Sequence, residues 1–221
     1  MILHLLYLYL CFALSILGRP TSDSSRACTS ATGVCIDQIT EPVTGVAFGF
    51  AVPQNVSGPG ALGNDFVANI TVPLPYGFAG LQGGSSAAPS HFHIAALMGG
   101  RVLPNASYEW FLIVQFDELS PDGTTAEPVA GPAITISPLS FWHHDHASFV
   151  FRCANCDIGG EVADGKVQLG ALFSHVRQPF IIGRTNETLT MANATIAPFV
   201  MDLQDIVRED FGEMLRGTGL E

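Results

Sequence analysis

The chain has 221 residues, 48% hydrophobic and only 13% charged, with 23 glycines and 14 prolines. That composition excludes a disordered tail, a collagen and a coiled coil. Nine basic against 20 acidic side chains leave a net charge of −11, with Lys166 the single lysine, which sets nucleic acid and anionic membrane surfaces aside as partners.

Residues 1–18 are almost wholly apolar and carry no Asp, Glu, Lys or Arg, and the polar run RPTSDSS follows at once. They read as a secretory signal peptide cleaved near Gly18. A membrane anchor is the competing reading, but it needs about 20 apolar residues. No later stretch is long enough to span a bilayer, so the expectation is a secreted, extracellular protein with no membrane span after cleavage. Cys11 leaves with the leader. The other four cysteines form two local pairs, Cys28 with Cys35 and Cys153 with Cys156, and an even count in an oxidising compartment favours two disulfides. The Cys-Ala-Asn-Cys spacing also suits a redox dithiol, although no βαβ pattern surrounds it. Sequons at Asn55, Asn69, Asn105, Asn186 and Asn193 point to a glycoprotein.

Residues 19–40 read as an irregular segment stapled by the Cys28/Cys35 pair. Eight apolar or alternating runs follow, separated by Gly, Pro, Asn and Asp: Val43 to Val52, Asp65 to Val72, Gly77 to Gln82, His91 to Met98, Glu109 to Phe116, Ala133 to Ile136, Ala147 to Cys153 and Val167 to Phe173. This pattern predicts an all-β antiparallel sandwich or barrel over 41–200. In 201–221, the spacing of Leu203, Ile206, Val207, Phe211, Met214 and Leu215 predicts one amphipathic helix from Asp202 to Arg216, stopped by Gly217.

Three stretches carry a more specific signal. The run PLPYGFAGLQGG (73–84) leads into a strand containing Ala95-Ala96-Leu97, then come SFVFRCANC (148–156) and GALFSH (170–175). In order and spacing these resemble the cytochrome domain of fungal cellobiose dehydrogenase, and the likeness covers most of residues 40–205. The resemblance implies a DOMON-type, immunoglobulin-like β-sandwich holding one haem b and passing single electrons. In that family the iron is held by a methionine soon after the Gly-Gly pair and by a histidine near the end of the domain. Here Ala88 and Asn193 stand at those positions. A methyl group has no lone pair and a carboxamide is a poor iron donor, so the family's haem b is at odds with these residues.

Substitute ligands exist on paper. His91 and His93 alternate on one strand face, and His175 closes the GALFSH segment, although all three also read as ordinary polar residues. Met98 and Met191 read as core filler. In His143-His144-Asp145-His146, His144 and His146 share a face of an extended segment and suggest a copper or zinc site, against the plainer reading of a structural histidine at 146. Hydrolase, metalloprotease and nucleotide-binding motifs are absent from the sequence, so no independent catalysis is expected, and the reading expects a cytochrome-like domain without the family's flavin domain. Two functions are therefore expected to compete: an electron carrier serving an extracellular redox protein, and a haem-free binding sandwich for a polysaccharide or another extracellular partner. For the second, Tyr76, Phe78, Tyr108, Trp110, Phe141 and Trp142 are the aromatic candidates, with Trp110 read as core.

Overall fold

Alternation along the chain becomes strand structure at all eight expected places. The computed structural model describes residues 24–28, 35–42, 44–54, 64–74, 77–83, 92–102, 108–156, 161–175, 188–191 and 193–221. The leader lies outside the described residues. In chain order the strands are β1 (Ser24–Cys28), β2 (Cys35–Thr40), β3 (Ala47–Pro53), β4 (Asp65–Pro73), β5 (Phe78–Gln82), β6 (Phe92–Val102), β7 (Tyr108–Leu119), β8 (Thr125–Pro128), β9 (Ala133–Ile136), β10 (Phe141–Trp142), β11 (His146–Ala154), β12 (Glu161–Ala163), β13 (Lys166–Ser174), β14 (Leu189–Thr190) and β15 (Thr195–Asp202). Helix α1 (Leu203–Ile206), strand β16 (Val207–Arg208) and helix α2 (Phe211–Thr218) follow.

Two sheets face each other. The first runs β1-β2-β3-β4-β11-β10, with β9 also on β11 and β16 on β3; the second runs β12-β13-β5-β6-β7-β8-β14, with β15 on β13. Every pairing is antiparallel except that of β16 with β3. The sheets close over Phe48, Phe50, Phe66, Ile70, Phe149 and Phe151 from the first and Leu81, Ile94, Val114, Phe116, Leu169 and Phe199 from the second. Phe48 stacks on Phe199 at 5.6 Å, which joins the layers directly. Burying each such ring is worth roughly 1.5–3 kcal/mol.

Strand β3 is buried on both faces up to Val52, unlike a strand with one wet side. Its outer face is covered by the chain's end: Ala51, Val67 and Val150 pack with Phe211, Met214, Leu215 and Leu220. Arg152 on β11 holds this arrangement from the side, donating twice to the Asp65 carboxylate at 2.9 and 2.8 Å and once to the Leu220 carbonyl at 3.2 Å.

Two expectations are corrected here. Residues 24–28 and 35–40 are not irregular: they form a hairpin in which Cys28 stands opposite Cys35, and Cys35 is disulfide-bonded. The single C-terminal helix is instead broken into two. Val207 and Arg208 leave helical geometry to pair with Val52 and Pro53, and Arg208 also donates to the Cys35 carbonyl at 3.0 Å. The Asp210 carboxylate is held by the Arg208 guanidinium through two 2.7 Å bonds, so Asp210 caps α2 without a side-chain hydrogen bond. The second helix runs through Gly217 and stops at Gly219, whose φ of 67° suits a left-handed cap. A tertiary edge thus overrides the helical periodicity.

The Cys153–Cys156 disulfide is formed, with its Cα atoms 5.7 Å apart. Both residues are fully buried, which suits a structural bond rather than an exchanging dithiol.

Gly49 provides a test of the sheet packing. A Cβ there would meet Ile36 Cγ2 at 2.8 Å, Gln38 Cγ at 2.9 Å and the Asp37 carbonyl oxygen at 3.0 Å, whereas one at Gly212 in α2 would meet nothing within 4 Å. Gly49→Ala is expected to lower stability in urea unfolding by about 1–3 kcal/mol. Gly212→Ala is expected to raise it by up to about 1 kcal/mol.

Candidate functional site

Between the sheets, near one end, lies a small cleft of about 10 Å³, room for about one water molecule, lined by Val72, Leu74, Gly77, Phe78, Ala96, Ala147 and Phe149. Its wall is tied down by backbone bonds from Gly77 to the Ser174 carbonyl and from Leu74 to the Asp145 carbonyl, both 2.7 Å. Among the described residues that line it, none is an imidazole, thioether or thiolate donor.

The positions singled out by the resemblance are dispersed. Asn193 is exposed, in a turn before β15 with φ 62°. Neighbouring Met191 is buried against Phe78, Ala126, Leu172 and Leu189, so it fills core as expected. His175 is exposed just past β13. On the backbone, His93 lies in β6 opposite Gln82 and Asp117. Ala88 and His91 lie outside the described residues. Of the five sequons, Asn55, Asn105 and Asn186 also lie outside them. Asn69 is half-buried in β4, its Oδ1 accepting from Ser148 Oγ at 3.0 Å. The aromatic candidates divide too: Phe78 is buried, while Phe141 and Trp142 are 49% and 40% exposed.

One set of chemically capable side chains does converge. Strands β10 and β11 form a tight hairpin, Phe141 opposite Ser148 and Trp142 opposite Ala147, and the His143 N–H donates to the His146 carbonyl at 2.8 Å. His144 and Asp145 are therefore the turn residues. The expected pairing of His144 with His146 assumed an extended segment; because the chain reverses there, His143 faces His146 across the hairpin instead. Asp145 Oδ1 sits 2.7 Å from the Nδ1 atoms of both. These hydrogen bonds, His143's first and His146's second, hold the Asp145 carboxyl well below the usual carboxylate range. The His144 ring lies tilted by 52° against that of His143, centroids 4.0 Å apart, and stands outside the donor group.

The family model of the cytochrome domain of cellobiose dehydrogenase matches residues 28–195. The chain belongs to this family. Among solved structures, it is similar to the cytochrome b domain of pyranose dehydrogenase from Coprinopsis cinerea, at 18% identity and a TM-score of 0.67 over 89% of this chain and 96% of that one. It is likewise similar to the cytochrome domain of Myriococcum thermophilum cellobiose dehydrogenase, at 15% identity and a TM-score of 0.69 over 90% of this chain and 97% of that one. At such identities the likeness is one of fold, and it agrees with the β-sandwich. Comparison with curated proteins by sequence finds no match. No helix among the described residues is long and apolar enough to cross a membrane.

This cytochrome-family sandwich also contains a group that sequence reasoning missed. Asp117 is fully buried in β7, its Oδ2 accepting from Gln115 Nε2 at 2.8 Å. Burial pushes its carboxyl up to about 7, against the opposing pull of the Gln115 bond. In the run VQFDEL Asp117 alternates with Val114 and Phe116, which face the core between the sheets, so it shares the other face of β7 with Gln115. An acid whose folded pKa is raised binds more protons folded than unfolded between its two pKa values. Stability is therefore expected to fall as pH rises from about 4 to about 7, and Asp117→Asn to flatten that part of a denaturation-against-pH profile.

Proposed function

We propose that this chain is a secreted, glycosylated member of the cytochrome-domain family that lacks the family's haem chemistry and acts as an extracellular carbohydrate-binding sandwich. The observation that carries the first half is Asn193. At the position the resemblance gives to the iron-binding histidine stands an exposed carboxamide in a left-handed turn. The other ligand position holds Ala88, which has no donor atom. Haem b with two axial ligands needs lone pairs from both sides, and these residues do not fit it. The family's electron transfer accordingly does not pass to this chain.

The binding role rests on Phe141 and Trp142, which present rings to solvent on a short edge strand instead of burying them. Aromatic faces with a wet rim suit the apolar faces of pyranose rings, and the similar proteins are parts of dehydrogenases named for cellobiose and pyranose. The unmatched acidity of the chain favours a neutral polysaccharide over an anionic one.

Two measurements test the reading. Haem loading of the secreted protein is expected to give no Soret band, whereas a stoichiometric band would restore the electron-carrier reading. In pull-downs on cellulose and chitin the protein is expected to be retained, and Trp142→Ala to lower retention by about 3- to 10-fold, the loss of one stacked ring. Equal retention of the variant would remove carbohydrate as the partner.

A further inference from the structure

The hairpin turn carries an inference independent of the haem question. We infer that His143, Asp145 and His146 form a binding site for one divalent transition-metal ion, with copper(II) held most tightly. The three residues each offer one ligand atom, and these atoms lie within 4.8 Å of one another. Two are imidazole nitrogens and one is a carboxylate oxygen, a donor set suited to copper, nickel or zinc, among which the divalent-ion order places copper(II) highest.

The spacing fits as well as the donor types. Ligand atoms about 2.1 Å from a metal and at right angles to each other stand about 3.0 Å apart. Both nitrogen-to-oxygen distances here are 2.7 Å, so a metal enters with small side-chain shifts. In its absence the Asp145 oxygen is bridged by ring N–H groups. On binding, the metal takes the Nδ1 lone pairs: a neutral ring carries its proton on Nε2 instead, and a protonated ring releases one proton to solvent.

The scaffold around the site is fixed. The His143 N–H to His146 carbonyl bond closes the turn, and the Asp145 carbonyl accepts from Leu74 N–H of the neighbouring strand end. Phe141 packs edge-on against the His146 ring at 5.4 Å and 86°, limiting its rotamers. All three ligands remain reachable, with side-chain exposures of 55%, 61% and 35% for His143, Asp145 and His146, which leaves room for water or an external ligand on the metal. The net charge of −11 favours approach of a cation.

Trp142 directly precedes His143 and reports binding, since copper(II) quenches a nearby indole. Titrating the secreted chain with copper(II) is expected to give saturable quenching at one ion per chain, and electron paramagnetic resonance to show coupling to two imidazole nitrogens. His143→Ala and His146→Ala are each expected to weaken binding by about tenfold or more, and Asp145→Asn to weaken it by about tenfold. His144→Ala should leave affinity and nitrogen count unchanged. Trp142→Phe should keep the resonance spectrum and lose most of the quenching. Circular dichroism of each variant separates loss of a ligand from loss of the hairpin. Unchanged copper affinity in the folded His143→Ala/His146→Ala double variant would overturn the proposal, as would equal losses from His144→Ala and His146→Ala.

Discussion

The structure depends on a layer of phenylalanine rings shut between two sheets. Phe48, Phe50, Phe66, Phe149 and Phe151 come from one sheet and meet Phe116 and Phe199 of the other. Their burial gives a driving force that is proportional to area and indifferent to polar chemistry elsewhere. The sandwich can therefore keep its architecture while residues on its loops change. Asn193 lies in such a loop, outside the phenylalanine layer, so a change of side chain there removes no part of the core.

That separation lets a cytochrome-family fold keep its architecture whatever chemistry its loops carry. Fold and chemistry are held by different residues. Among the described residues, the cleft beside Phe78 and Phe149 is lined by hydrocarbon, while the donors that do converge lie outside it on the His143–His146 turn. One backbone bond, from Leu74 to the Asp145 carbonyl, links the cavity wall to the turn.

Legibility followed the physics of each element. Long strands such as β4, β7, β11 and β13 bury one or both faces, so their pattern of apolar residues is printed in the chain. Short strands β8, β10, β12 and β14 have two to four residues, too few to show a period, and exist because a longer neighbour offers an edge. The C-terminal helix was legible as an amphipathic segment but not as an interrupted one, since only the folded position of Val52 and Pro53 makes Val207 and Arg208 extend. The histidine cluster was visible as composition. Which two histidines meet depended on the reversal at His144 and Asp145, a turn without glycine or proline to announce it. Asp117 was overlooked because an acid that alternates with core-facing Val114 and Phe116 looks like a surface residue, whereas the fold buries that face of the strand as well.

Arg152 grips both Asp65 and the Leu220 carbonyl, while Ser137 Oγ hydrogen-bonds the Thr218 carbonyl. The last residues are thereby moored to the middle of a sheet. Any polypeptide joined beyond Glu221 would leave the domain from a fixed berth, and its reach would be set by its own length rather than by play in the sandwich.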